Sequence, residues 1–205
     1  MTFKHDDYTV AWICALPLEL AAARLMLDEL HSSLPQPDTD HNAYILGSII
    51  GHNVVVACLP SGVYGTTSAA TVLAQILPTF PCLRFALMVG IGGGVPGKKA
   101  DIRLGDVVVS IPTATVGGVV QYDYGKTLRD GYMQRTGSLN KPPQCLLTAV
   151  SRIRSEYLLE DSPIKRMSME ILDKHRASRQ TIRPDYDWLF MAIYDHTNGR
   201  LLLMR

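Results

Sequence analysis

The segment "GIGGGVPGKK", residues 90–99, places five glycines and two lysines directly after the apolar run "RFALMV". Glycines after a strand let the backbone approach a ligand closely, because no Cβ intervenes. The carboxyl end of a parallel strand is also where open α/β sheets bind ligands. The spacing therefore raises three hypotheses for this loop: phosphate binding, close contact with another ligand, or a mobile surface turn.

Two phosphate-binding patterns nearly match this loop. As G-x-x-x-x-G-K-[ST] it has Lys98 in place, but Lys99 occupies the position of the hydroxyl that would bind magnesium. As G-x-G-x-x-G it has three glycines in register over 92–97, with Pro96 inside the pattern. Both motifs need a helix directly after the loop, since helix amides face the phosphates. The following "GDVVVS" predicts a strand instead, which disfavours a triphosphate loop and a dinucleotide site.

The elements around the loop alternate between strands and helices. Continuous apolar runs predict buried strands at "YTVAWICAL", "VVVACL" and "LRFALMVGI", and a hairpin turn around Gly51. Helical spacing predicts one helix from Pro17 to Leu30 and another that ends at Leu77, where Pro78 stops it. The alternation indicates an α/β fold whose sheet is covered on both faces.

The second half of the chain changes in character. Further strand material is expected over 105–125, interrupted at Pro112 and at Gly117-Gly118. Two helices are expected from Pro142 onward, the second with Ser162 as its N-cap. A short helix and the start of a strand are expected within the last 23 residues, 183–205. No internal repeat interrupts this order.

Composition excludes several classes of protein. With 205 residues, 47% of them apolar, the chain can bury a core of one domain. Its 20 basic and 19 acidic residues nearly cancel, which disfavours a nucleic-acid partner. The N-terminal segment is polar, and no run approaches the roughly 20 apolar residues of a membrane span. We therefore expect a soluble, cytoplasmic protein that binds neither nucleic acid nor membrane.

Cysteine and histidine spacing predicts no metal site. The four cysteines lack a C-x-x-C pair and the six histidines lack an H-x-x-x-H pair. Core packing in a reducing compartment is the expected role of the cysteines, which are Cys14, Cys58, Cys82 and Cys145. A G-x-S-x-G nucleophile elbow is absent from the sequence, which disfavours an ester hydrolase.

Four segments in order carry a family resemblance: "CALPLEL", "PSGVYGTTSAA", "LMVGIGGGVPGKKADIRLGDVVVS" and "VVQYDYGKTLRDGYMQRTGSLNKPP". Together they resemble the N-terminal two thirds of the nucleoside phosphorylase and nucleosidase family, in particular its fungal branch found in multidomain ankyrin, TPR or NTPase proteins. The resemblance runs from about Tyr8 to Tyr194. It implies a single domain over 1–205 with a core of about 8–194. It further implies a three-layer α/β/α sandwich around a mixed, partly barrel-like sheet, and no cofactor.

The resemblance assigns a catalytic role to Glu19. Hydrolytic members of the family have a glutamate in the loop after the first strand that handles protons on water and base, and Glu19 occupies that position. Desolvation near a buried strand end is expected to raise the pKa of its carboxyl. The structural alternative is a solvated side chain in the first turn of a helix, where it favours the helix dipole.

The resemblance also assigns residues that bind the nucleoside. One turn is expected beside the base and ribose, a second to line the sugar, and a later pair to form the pocket rim. In that order these residues are Gly90, Ile91, Gly92 and Gly93; Ser61, Gly62 and Val63; and Tyr122 and Asp123. Each group has a structural alternative, as a backbone turn or a surface aromatic.

Two departures from the family favour water over phosphate as the acceptor. The phosphorylases hold phosphate with an arginine before the glycine turn and a serine inside it, and here those positions are Met88 and Ile91. The first loop, "CALPLEL", also lacks their Gly-Asp-Pro arrangement. Lys98, Lys99 and Arg103 are expected to be solvated.

A third departure concerns the end of the chain. The family completes its site with a Met-Glu pair that holds the ribose and an Asp that protonates the leaving base. Met169-Glu170 lies in a helical context and is interpreted as a chance match, and Asp195 precedes the expected region. We therefore expect a domain incomplete at its C-terminus, without the ribose clamp and the acid.

Two functions follow as hypotheses. The first is a nucleoside-binding domain that cleaves, or descends from enzymes that cleave, the N-glycosidic bond of purine nucleosides, by hydrolysis rather than phosphorolysis. The alternative is a non-catalytic nucleoside sensor or interaction module of a larger protein. Expected partners are a small-molecule nucleoside and neighbouring domains or a second copy of the chain.

Overall fold

The computed structural model of the chain describes residues 3–95, 97, 100–129, 131–160 and 162–174. The chain divides into two compact units. Unit 1 comprises Met1–Gly93 and Ser168–Arg179, and unit 2 comprises Gly94–Met167 and Gln180–Arg205. Each unit is described separately below.

Unit 1 is built on a five-stranded mixed sheet in the order β2-β3-β4-β1-β5. Strand β1 is parallel to both β4 and β5, and the β2-β3 and β3-β4 pairs are antiparallel. The strands are β1 Val10–Cys14, β2 Glu29–Leu30, β3 Tyr44–Ile49, β4 His52–Cys58 and β5 Phe85–Met88. Helix α1 spans Pro17–Leu25 and helix α2 spans Thr66–Thr79. A short 3₁₀ helix at His5–Asp7 precedes β1.

The two faces of this sheet bury different clusters. Side chains alternate between the faces along a strand, so every second residue of β1 and β4 faces the same way. On one face Ala11 and Val55 belong to a cluster with Val72 of α2. On the other face Val54 and Val56 pack with Ala23 of α1. The helices thus cover opposite faces, which confirms the predicted three-layer α/β/α arrangement around a mixed sheet.

Helix α1 is shorter than predicted. It ends at Leu25, and Leu30 lies in β2 instead of in the helix. The backbone N–H of Asp28 donates to Ser48 O at 2.9 Å, and the Asp28 carboxylate accepts from Ile50 N at 2.6 Å. Pairing with β3 therefore competes successfully with continuation of the helix.

Two other predicted boundaries also shift by one or two residues. Pro78 lies inside α2, which ends one residue later, at Thr79. The hairpin turn between β3 and β4 is formed by Ile50 and Gly51, with φ of 46° and 76°. Positive φ at both residues is the conformation of a two-residue type I′ hairpin.

Unit 2 contains a hairpin and a helix that precedes α4. Strands β6 Gly125–Thr127 and β7 Met133–Arg135 pair in an antiparallel manner, and helix α3 spans Gln144–Glu156. Helix α4, Ile164–Lys174, begins in this unit. Ser162 Oγ accepts the N–H of Ile164 at 3.4 Å, which agrees with its predicted capping position.

The prediction of strand material over 105–125 is wrong except at its last residue, Gly125, where β6 begins. Residues 105–124 form no strand, and the three valines Val107, Val108 and Val109 are 62, 71 and 58% exposed. An apolar β-branched run becomes a strand only when another strand pairs with it, and no described strand pairs with this one. Over the described residues 100–129 no helix follows the glycine loop either, so the context that a phosphate loop requires is not met there.

Core packing explains only two of the four cysteines. Cys14 is buried and Cys58 half-buried, whereas Cys82 and Cys145 are exposed. The elements predicted after residue 182, with Asp195 and Tyr194, lie outside the described residues. Within the described ranges, each helix is too short or too polar to cross a lipid bilayer.

Candidate functional site

Three loops of unit 1 meet where the parallel strands end. Strands β4, β1 and β5 are neighbours, and the loops that follow them are 59–65, 15–16 and 89–93. Two backbone bonds hold these exits together: Leu59 N donates to Cys14 O at 2.9 Å, and Val89 N donates to Ile13 O at 3.0 Å. We call the edge formed by these loops the loop edge. It is the edge at which parallel sheets commonly bind ligands.

Glu19 is buried at the loop edge, with only 7% of its surface exposed. It occupies the third position of α1, and its Oε2 accepts the N–H groups of Ala15 at 2.7 Å and Leu16 at 2.9 Å. Its Oε1 accepts the N–H of Ile91 at 2.7 Å. One carboxylate therefore joins the loop after β1 to the loop after β5. The alternative hypothesis, in which the Glu19 side chain is solvated, is therefore wrong.

The predicted rise in the pKa of Glu19 is not found. Burial alone raises the pKa of the carboxyl, but the hydrogen bonds from Ile91, Leu16 and Ala15 stabilise the ionised form and together lower it. Glu19 is therefore a carboxylate at neutral pH. A carboxylate has about four lone-pair positions, and three are occupied by backbone donors.

Gly90 is the glycine of this turn at which an added side chain would force Glu19 to move. A Cβ at Gly90 would lie 2.7 Å from Cδ of Glu19 and 2.9 Å from its Oε2, and would clash with Oε1. By contrast, a Cβ at Gly92 or Gly93 would meet nothing within 4 Å. The close approach predicted for the glycine loop therefore exists at Gly90, where the approaching group is Glu19.

The second predicted turn, Ser61 to Val63, lies at the loop edge and is exposed. Val63 N donates to Pro60 O at 3.0 Å, and Gly62 has φ of 80°. A positive φ at the third residue of such a turn is that of type II, which favours glycine. Gly62 therefore has a backbone role, and the side chains of Ser61 and Val63 are left accessible at the loop edge.

Tyr122 and Asp123, predicted at the pocket rim, lie in unit 2. Tyr122 is 84% exposed, and Asp123 is exposed as well. Their neighbours Gln121 and Tyr124 line a cavity within unit 2, together with Arg135. Gln121, Tyr124 and Arg135 lie within the fourth segment of the resemblance, but no role was predicted for them, because the cavity brings together parts of the chain about 15 residues apart. The role of Tyr122 and Asp123 stays a prediction.

The charge at the loop edge comes from one side chain. Within residues 15–19, 59–65 and 89–93, all of which are described, Glu19 is the only charged residue. Met88 and Ile91, which the sequence resemblance aligns with phosphate-binding residues of the phosphorylases, are 61 and 70% exposed. These loops thus offer a phosphate dianion no cation. Lys98 and Lys99 lie outside the described residues, and within the described ranges no cluster of three metal-ligating side chains occurs.

Comparison with known proteins gives similarities of two kinds, to a curated sequence and to solved structures. No family model matches the chain. Over 155 residues it is 56% identical to a nucleotide-binding leucine-rich repeat (NLR)-like protein of the fungus Hyaloscypha variabilis, a match that covers 75% of this chain and 15% of the relative. The chain thus spans only a small part of the length of the curated relative that it matches.

The second similarity is to a solved structure. This is the 5′-methylthioadenosine/S-adenosylhomocysteine nucleosidase from Neisseria meningitidis in complex with methylthio-immucillin-A. The TM-score is 0.47 and the identity 20%, over 73% of this chain and 58% of the other. A likeness at this level defines neither the activity nor the ligand of the chain.

Proposed function

We propose that the loop edge of unit 1 binds a purine nucleoside, in a nucleoside phosphorylase-like domain that cleaves, or descends from enzymes that cleave, the N-glycosidic bond. The observation that carries the proposal is the buried carboxylate of Glu19, which lies between two loops at the carboxyl ends of parallel strands. The order of the four sequence segments supports the same assignment. In this proposal Ser61, Gly62 and Val63 line the sugar, and the turn from Gly90 to Gly93 lies beside base and ribose.

The lowered pKa limits what Glu19 can do in this reaction. An ionised carboxylate accepts protons and donates none, so Glu19 serves as a hydrogen-bond acceptor or general base for the attacking water. The lone-pair position not used by the three backbone donors is the one available to that water. Hydrolysis fits this role, because water brings a proton to be removed, and the loops carry no cation to hold phosphate.

Free base released from nucleosides tests the proposal. The purified chain is incubated with adenosine, inosine and methylthioadenosine, with and without phosphate, and free base is measured by chromatography. We expect release without phosphate, and a loss of about 100-fold in Glu19→Gln, the smaller end of general acid–base contributions. Glu29→Gln, an exposed carboxylate on β2, is the matched control and should leave the rate unchanged. Release that requires phosphate would exclude hydrolysis.

The acid limb of the pH profile tests the state of Glu19. Because the pKa of Glu19 is lowered, this general base stays ionised even when the pH falls to the pKa of an ordinary glutamate, about 4.3. The rate should therefore hold through pH 5 in a short assay on folded protein. A fall centred between pH 6 and 7 would instead indicate a raised pKa and a different proton-handling group.

A second function, nucleoside sensing without turnover, is favoured by a specific observation. Three of the four acceptor positions of Glu19 already serve the backbone, so the carboxylate has a structural use that needs no reaction. The larger NLR-like relative is consistent with a module that contacts neighbouring domains. Calorimetry that detects adenosine binding, with no free base formed, would support sensing, and turnover above background would exclude it.

A further inference from the structure

Unit 2 contains a cavity that the proposed function does not use. Its volume is 440 Å³, within the range of about 300 to 1,000 Å³ typical of small-molecule sites. One wall comes from the segment 115–121 and the other from residues 135–139, which begin at Arg135, the last residue of β7. All of its lining residues belong to unit 2.

Backbone contacts hold the walls of this cavity close together. A Cβ at Gly117 would clash with Leu139 O and lie 3.0 Å from Asn140 O, so the two walls touch through main chain at this point. The adjacent Gly118 has φ of 114°, and a Cβ there would lie 2.7 Å from Ser110 Oγ. Only glycine fits at Gly117 and at Gly118. The close approach of the two walls therefore depends on the amino-acid sequence of this segment.

The lining of the cavity carries one kind of charge. Arg135 is the only charged residue among the described residues that line it, and no Asp or Glu lies in that set. The described residues offer the Arg135 guanidinium no salt bridge. Tyr124, Thr136 and Ser138, each of which carries a hydroxyl group, line the same space, as do the apolar residues Val119 and Leu139.

We propose that this cavity binds a small organic anion, in which a carboxylate or phosphate group is attached to an apolar body. The anionic group pairs with Arg135, whose planar fork matches both carboxylate and phosphate. The hydroxyls complete its hydrogen bonds, and the apolar body contacts Val119 and Leu139. This site is separate in its residues and in its charge from the loop edge, where the single charge is negative.

Matched probes test the charge requirement. Phenylacetate, phenyl phosphate and neutral 2-phenylethanol each contain one phenyl ring. Each compound is titrated into the full chain, and its binding is measured by ligand-observed NMR. We expect one or both anions to bind at least about tenfold more tightly than the alcohol, as one charge-assisted hydrogen bond provides. The ratio of the two anions tells whether the cavity takes carboxylates or phosphate esters.

Two variants with the same change of charge test the location. Arg135→Met should weaken anion binding about tenfold or more, and Lys126→Met should change it less than twofold. Lys126 is the control because it lies on β6 one residue after Gly125, the partner of Arg135, and so faces the other side of the hairpin. If circular dichroism shows that Arg135→Met is unfolded, Arg135→Lys takes its place, with an intermediate loss expected.

Three results would overturn the proposal. Equal binding of the alcohol and the anions would remove the role of charge. An equal loss in the Arg135 and Lys126 variants would indicate nonspecific attraction to the surface. Absence of binding by all three probes at millimolar concentration would mean that the cavity is not a site for this class of ligand.

Discussion

Unit 1 and unit 2 use similar apolar residues in different ways. In unit 1 the valines of β4, Val54, Val55 and Val56, are at most 3% exposed, because a helix covers each face of the sheet. In unit 2 the valines at 107–109 are more than half exposed, and no described residue of 94–167 is buried. The comparison teaches that a run of β-branched residues forms a strand only where a second strand pairs with it and other elements pack on its faces.

Core truncation is the strongest test of this contrast. Phe80 is 1% exposed and contacts the rings of Tyr8 and Tyr44. We expect Phe80→Ala to lower the free energy of unfolding by about 3–5 kcal/mol, and Leu158→Ala, at 86% exposure in unit 2, by less than about 0.5 kcal/mol. Urea denaturation of both variants measures the difference. Similar losses would mean that the two units are packed alike.

The Glu19 contact predicts a difference between two glycines of one loop. Gly90→Ala would displace the carboxylate and leave buried N–H groups unpaired, which should lower the free energy of unfolding by about 1–3 kcal/mol. Gly92→Ala enters open space and should be nearly neutral. In a Glu19→Ala background the effect of Gly90→Ala should shrink toward that of Gly92→Ala. A penalty that survives in that background would show that Gly90 is needed for another reason.

Acid should destabilise unit 1 through two buried carboxylates. Burial raises the pKa of Asp40, but hydrogen bonds from Thr79, Tyr44, Asn42 and Gln36 outweigh it and lower the pKa, as the amide donors do for Glu19. The unfolded state therefore binds protons more readily than the folded state. The contribution of these carboxylates to the free energy of unfolding is fully present above their pKa in the unfolded chain, and it is lost as the pH falls through their pKa in the folded protein. We expect Asp40→Asn and Glu19→Gln to flatten the fall in stability below about pH 4.

Denaturation midpoints measured from pH 7 to pH 2 give this dependence. Asp6→Asn, an exposed carboxylate at the N-terminus, provides the control and should reproduce the wild-type profile. An unchanged profile in both buried variants would mean that other carboxyl groups determine the acid response.

The two hairpin turns give the smallest expected effect. Ile50, a β-branched residue, has φ of 46°, whereas the turn in unit 2 uses Gly131 at 76°. Asn tolerates this conformation better, so Ile50→Asn should raise the free energy of unfolding by about 1 kcal/mol, and Ile50→Val should give no gain. Gly131→Ala should lower it by a similar amount. Thermal denaturation measures the stability of all three variants. A lower stability of Ile50→Asn would contradict the inference that the backbone of Ile50 is strained.

The sequence predicted the local elements of unit 1 because their signals are local. Pro17 marked the start of α1, and the apolar runs marked β1, β4 and β5, so in these elements only the boundaries moved. Strand β2 was not predicted, because its two residues were assigned to the end of α1. The prediction of strand material over 105–125 was wrong for all but Gly125, since pairing depends on a partner distant in sequence. The hairpin β6-β7 was missed because its strands have three residues each and no apolar alternation.

The position of Glu19 was predicted from the resemblance, but its environment was not. The amide of Ile91 lies 72 residues further along the chain, and no spacing rule connects it with Glu19. The expectation of a raised pKa considered burial without these donors. The steric conflict that a side chain at Gly90 would create involves the same Glu19 carboxylate. It therefore could not be predicted from the sequence either.

The carboxylate of Glu19 also has a kinetic consequence. The amides of Ala15, Leu16 and Ile91 share one acceptor group, so a single rotation of that side chain frees all three at once. Their protection against hydrogen exchange should rise and fall together, although the first and last are far apart in sequence. A group that occupied the loop edge and contacted Glu19 would thus be sensed at both loops in the same event.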